Sequence, residues 1–169
     1  MKILALDLGL KTGFSISFSS RPWLAPPSMP GTFVDGPPRV ESGTFEVPSP
    51  RGESRGMRFI RWGAWLREML EMTKPDLVVY EQPHARGGAA TDILVGMGTR
   101  VQEYCAGRGI EYAMVHAATV KKWATGSGAS KKPAMQAEAE RRAGHKFDSE
   151  DEADAFLLMA YAVQLYGKG

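Results

Sequence analysis

The chain is short of cysteine, of long apolar runs and of histidines at ligand spacing. Cys105 is its single cysteine, so no internal disulfide can form, and the composition fits a reducing compartment. No apolar stretch approaches the roughly 20 residues that a helix needs to span a bilayer. The short apolar run at the start is broken by Asp7, too early for a secretory leader, and a cytoplasmic protein with no membrane partner is expected. His84, His116 and His145 are scattered without metal spacing. Internal repeats and linkers are missing too, so the 169 residues read as one domain with length enough for a real core. The net charge is only +2. A polyanionic partner must therefore show itself in local clusters.

The most informative stretch is the first, MKILALDLGLKTGFSISF. An apolar strand, Ile3 to Leu6, ends in Asp7; a turn with Gly9, Lys11, Thr12 and Gly13 leads to a second strand, Phe14 to Phe18. A carboxylate in an otherwise apolar strand is costly to bury without compensation. Asp7 is either a turn-capping residue or one member of a site whose other members lie elsewhere.

Most of the eleven prolines fall between Ser19 and Gly56, and the Pro-rich piece of about residues 19–40 reads as an elaborated loop. Glu41 to Val47 alternates like a third strand. A helical period is expected from about Arg55 to Met72, a buried strand over Leu77 to Tyr80 ending in Glu81, a helix from Ala89 to Arg108, and a strand over Tyr112 to Val115. Helices are expected over Thr119 to Trp123, Pro133 to Arg142 and Ser149 to Leu165. Ser149 suits an N-cap, and the acids after it suit the first turn. The succession implies a mixed five-stranded α/β sheet with helices on both faces.

Asp7 and Glu81 thus end two strands, and ligands gather at such ends. Asp151 and Asp154 lie three apart, on one face of the last helix. Asp154 also falls in that helix's apolar seam with Ala155, Leu158, Met159 and Ala162. Converging carboxylates repel one another unless they share a cation. Mg²⁺ or Mn²⁺ is the usual answer to an all-oxygen donor set, and two such ions about 4 Å apart can activate water against a phosphodiester. Each element alone has an ordinary explanation: a turn cap, a solvated strand end, an acidic helix start. Their joint occurrence favours a site.

Four motifs in order, LALDLGLKTGFSI, VVYEQP, TVKKWATGSGASKK and EDEADAFLLMAYA, give the chain a resemblance to the RuvC family of Holliday-junction resolvases, particularly the shorter phage-type members, in the RNase H-like superfamily. The resemblance covers everything except the Ser19 to Arg39 loop. It implies an RNase H-like fold, with Asp7, Glu81, Asp151 and Asp154 as catalytic, metal-binding carboxylates. It also implies a homodimer cutting opposed strands of a four-way DNA junction. Bacterial members carry an aromatic shortly after the middle Glu, whereas Pro83 and His84 stand here. Asp148 and Glu152 are extra acids beside the site.

Lys121, Lys122, Lys131 and Lys132 surround a TGSG turn and suit phosphate oxygens, as a solvated charge run or as a DNA contact. Arg86, followed by Gly87 and Gly88, is a second candidate contact. The 89–108 helix is the expected dimer interface, with Ile93, Leu94, Val95, Met97 and Val101 apolar and Gly96 and Gly98 permitting close approach; packing of all these onto the sheet is the alternative. The leading expectation is a metal-dependent junction endonuclease. Behind it stand an RNase H-like nuclease on other branched DNA or RNA–DNA hybrids, and a non-cleaving junction binder. An actin-like ATPase opens with a similar hairpin but needs a second domain.

Overall fold

The apolar runs Ile3–Leu6 and Leu77–Tyr80 become the centre of the sheet, where side chains on both faces are buried. The computed structural model describes residues 1–18, 39–83 and 87–167. Strand β1 (Ile3–Asp7) pairs antiparallel with β2 (Lys11–Ser17), and β2 antiparallel with β3 (Val40–Glu46). On its other side β1 runs parallel to β4 (Leu77–Glu81), which runs parallel to β5 (Glu111–Val115). The order β3-β2-β1-β4-β5 makes the expected mixed sheet of five strands.

Five helices join and follow the strands: α1 (Arg55–Thr73), α2 (Ala89–Ala106), α3 (Ala117–Thr125), α4 (Lys132–Ala143) and α5 (Glu150–Tyr166). Strand alternation sorts the core into two halves. Leu4, Leu6, Val78 and Tyr80 pack with Trp62 and Leu66 of α1 and Met97 and Val101 of α2. Ile3, Ala5, Leu77 and Val79 pack with α3, α4 and the apolar length of α5, from Ala153 to Val163. Burying a side chain of this size contributes roughly 1.5–3 kcal/mol each. Helices therefore cover both faces. Among the described residues no helix is long and apolar enough to cross a membrane.

The hairpin departs from expectation at its turn. Lys11, Thr12 and Gly13 belong to β2, not to the turn, and Gly13 pairs with both Asp7 and Thr44. Thr12 is fully buried; its hydroxyl donates to the Gly9 carbonyl at 2.6 Å and accepts from the Trp62 indole N–H at 2.8 Å. Buried polar groups must be bonded, and this one ties the turn to α1. On the opposite face of β2, Gly13, Ser15 and Ser17 alternate, all small, and α5 lies against them. A Cβ built on Gly13 would stand 1.9 Å from the Asp151 carbonyl oxygen.

Helix α2 places several of the apolar residues named for the interface against the chain's own core, the alternative reading of them. Met97 and Val101 are fully buried in the chain's own core, and Ile93 and Leu94 pack against it. The space beside Gly96 is filled by the Phe59 ring, and that beside Gly98 by Tyr80, Pro83 and Leu8. Both glycines accommodate side chains of this chain. Only Val95, 49% exposed, remains outward among the five apolar residues.

Gly13→Ala is expected to lower unfolding free energy by about 3 kcal/mol or more, since the obstacle is backbone that cannot rotate away. Urea denaturation checks this; a loss under about 1 kcal/mol would mean that α5 stands off the strand.

Candidate active site

Asp7 and Glu81 are the last residues of neighbouring parallel strands, one position beyond the Leu6–Tyr80 pair. Such strands lie about 4.8 Å apart. Because Leu6 and Tyr80 face α1 and α2, alternation turns Asp7 and Glu81 to the α5 face. Gly13 pairs with Asp7 from the other side, and the first turn of α5 rests on Gly13 through Asp151. Asp154, one turn further on, lies over the same strand ends. Ser149 caps α5, accepting from the Glu152 N–H at 3.1 Å.

The electrostatics record the convergence. Asp7 is pushed well above the usual carboxylate range, first by burial, then by Asp154, Glu81 and Asp151. Asp154 is pushed up to about 6 by burial and by Glu81, against the opposing pull of Lys132 and Lys121. Burial and like charge disfavour the ionised form in the same direction. Asp7 and Glu81 also line a small cleft of about 30 Å³ with Leu8, Gln82, Pro83 and Leu94, room for one water-sized occupant. Among the described residues no three acid, His or Cys side chains already enclose a point where a cation could sit. The donor chemistry nevertheless fits a hard divalent ion: oxygen only, carrying surplus negative charge, with two of the donors on a cleft of the right size.

The remaining candidates separate clearly. Lys132 donates to Glu150 at 2.6 Å, which raises its pKa, and both side chains are exposed. Such a rim pair is worth little and opens readily to a phosphate. Lys121 is near enough to Asp154 to be felt there; Lys122 and Lys131 are exposed beyond it. Arg86 and His84 lie outside the described residues, as does most of the Pro-rich loop. Glu152 is turned to β3, accepting from the Ser42 hydroxyl at 2.6 Å, and Asp148 is exposed. His145 packs on Phe147. Buried Cys105 has its thiol pushed up to about 11, which keeps it protonated and inert. Trp123 lies between the Arg142 guanidinium, 4.0 Å from its ring centre, and Tyr161.

One participant was missed in the sequence. Lys11, assigned to a turn, reaches the Asp151 carboxylate at 3.7 Å. Its position beside a strand-terminal Asp was the available signal.

No family model matches the chain, and no curated protein matches it either. Solved structures do. RuvC from Thermus thermophilus superposes with a TM-score of 0.71 at 17% identity, covering 98% of this chain and 95% of its own. This chain has the RuvC fold. T. thermophilus RuvC in complex with Holliday junction substrate gives a TM-score of 0.73 at 18% identity, covering 98% and 94%. Fowlpox virus resolvase with its substrate Holliday junction DNA gives 0.55 at 11%, covering 98% of both chains. The likeness establishes an RNase H-like α/β fold as in RuvC, with β1 and β4 at the centre of the sheet.

A carboxyl whose folded pKa lies above its ordinary value holds its proton more tightly in the folded chain, so its contribution to stability falls as pH rises. For Asp154 that loss runs from about pH 4 to about pH 6 and is complete above. In metal-free protein, Asp154→Asn is expected to match the parent near pH 4 and to exceed its stability by roughly 2 kcal/mol near pH 7.5, after allowance for partial exposure. Denaturation of both proteins across this range checks the sign; a variant less stable than its parent near pH 7.5 would contradict it.

Proposed function

We propose that this protein is a metal-dependent, structure-selective DNA endonuclease that cuts four-way junctions by paired phosphodiester hydrolysis. One observation carries the reading. A largely buried carboxyl, Asp7, ends a central strand in a RuvC fold, and Asp154, Glu81 and Asp151 all press its pKa upward. Structural packing alone has no use for four acids that destabilise one another. The two likenesses to resolvases solved with junction DNA support the choice of substrate.

In this reading Asp7, Glu81, Asp151 and Asp154 hold two Mg²⁺ or Mn²⁺ ions, which when bound supply an activated water and neutralise the leaving oxygen. The chain's own residues do the rest. Lys121, Lys122, Lys131 and Lys132 attract the phosphates of the strand to be cut, and the exposed Lys132–Glu150 pair exchanges its carboxylate for one of them. Lys121 and Lys132 also keep Asp154 closer to ionisation than burial alone would leave it. Arg86 is a candidate for the same backbone. One chain carries one such site, whereas resolving a junction requires two symmetric nicks. A two-fold homodimer supplies the second, and a reducing, cytoplasmic setting suits a lone buried thiol.

Purified protein with Mg²⁺ is expected to nick labelled four-way junctions in symmetric pairs and to spare linear duplex. Preference for Y-forks or RNA–DNA hybrids would shift the substrate within the same chemistry; binding without cutting would overturn the enzyme assignment. Glu81→Gln and Asp154→Asn should each abolish cleavage while junction binding persists, with circular dichroism excluding misfolding. Near-parental cutting by either variant removes that residue from the mechanism.

Changing Lys121 and Lys131 together to Ala should weaken binding to every DNA shape and lower the salt slope by about 2, since each phosphate contact contributes about 0.9. Filter binding over a salt series reads it, and an unchanged slope returns both lysines to ordinary solvated surface.

A further inference from the structure

A second basic stretch follows β3, whose last residue pairs with Lys11. Between Val47 and Arg61 the chain has Arg51, Arg55, Arg58 and Arg61 against a single acid, Glu53. Arg61 and Glu53 neutralise each other in a bidentate pair, and Arg61 also donates to the Pro48 carbonyl at 3.0 Å. That pair fixes the path of the segment, and the Val47 N–H donates to the Leu10 carbonyl at 2.7 Å, tying it to the β1–β2 turn. The other three arginines are held less firmly, Arg58 acting on Glu53 only at longer range. Among the described residues no ion pair engages Arg51 or Arg58, and Arg55 stands 3.8 Å from Asp92 in a pair whose side chains are 61% and 74% exposed. They also crowd the start of α1, whose first turn has no acid, where the helix's own field disfavours cations. Within the chain their return is small: Arg58 lends its charge to Glu53 from beyond ion-pair distance, and Arg55 has only the exposed Asp92.

Their surroundings point to a partner. A groove of about 600 Å³ opens at the start of the segment, lined by Leu10, Lys11, Glu46, Val47, Pro48 and Ser49, two residues before Arg51. At its edge Lys11 reaches Asp151 of the acid cluster. Lys121 and Lys132 face the acids from the α3–α4 side, while α1 and its arginines begin just beyond the end of β3, whose Glu46 is the register partner of Lys11. Arginine's planar fork suits phosphate oxygens.

We propose that Arg51, Arg55 and Arg58, with Lys11 at the inner end of the groove, bind the phosphate backbone of a second duplex arm. This rests on the junction reading above. A four-way crossover offers a second arm beyond the one held by the lysines, which a linear duplex does not. The arginines therefore select branched DNA over straight DNA.

The test is equilibrium binding in EDTA, over a salt series, to a labelled four-way junction and to a linear duplex of the same length. The triple variant Arg51→Ala, Arg55→Ala, Arg58→Ala is expected to lose tenfold or more in junction affinity and to lower the junction salt slope by about 2 to 3, with duplex binding little changed. The triple Arg→Lys variant should recover most of the affinity, which a merely structural role would not predict, and thermal melting confirms that both variants fold. Parental junction affinity in the Ala variant overturns the arginine contact. Equal losses on both DNAs overturn its assignment to a second arm. A parent protein that binds neither DNA overturns the junction reading itself, a result distinguishable from the other two.

Discussion

The active end of this protein depends on a close approach between a helix and a strand. The first turn of α5 sits directly on β2 because Gly13 offers no Cβ to hold it away. Gly13 is the register partner of Asp7, and the helix that lands on it carries Asp151 and Asp154, so one backbone contact gathers three of the four carboxylates. The parallel pairing of β1 and β4 adds Glu81. The position of the site is set by main-chain packing rather than by the reach of side chains. Behind it, on the other face of the same strand, Thr12 and Trp62 lock the turn to α1.

That arrangement separates charge by depth. The acids lie inward, where burial and mutual repulsion raise Asp7 and Asp154. The lysines lie at the rim in loose, exposed pairs with Asp151 and Glu150. Under the proposed function a divalent ion would answer the inner surplus and a phosphate backbone the outer one.

Much of this was legible from residue order. Two apolar runs each ending in an acid marked the central strands, and the spacing of Asp151 and Asp154 marked one helix face; every helix and strand appeared where its period or alternation placed it, to within a residue or two at most ends and three at the start of β2. What escaped notice depended on contacts across the fold. Gly13 resembled a turn glycine because a close approach and a tight bend favour the same residue. Gly96 and Gly98 resembled an interface because the sequence does not say whose ring fills a gap, and Phe59 and Tyr80 of this chain fill them. The arginines from 51 to 61 were read only as the edge of a Pro-rich loop and the start of a helix, since the bond from Val47 to Leu10 that ties the segment's start to the hairpin joins residues far apart in the chain.

The buried, mutually repelling carboxylates have a consequence on an evolutionary scale. A turn cap or an acidic helix start improves folding and survives selection for stability alone. Asp7 and Asp154 do the opposite, since an uncharged residue in either place relieves both desolvation and repulsion. Random substitution in a lineage that no longer used the site would find that relief early, and a sturdier but silent protein would replace this one. Under the proposed function the acids weaken the fold that carries them in exchange for chemistry that no uncharged residue supplies.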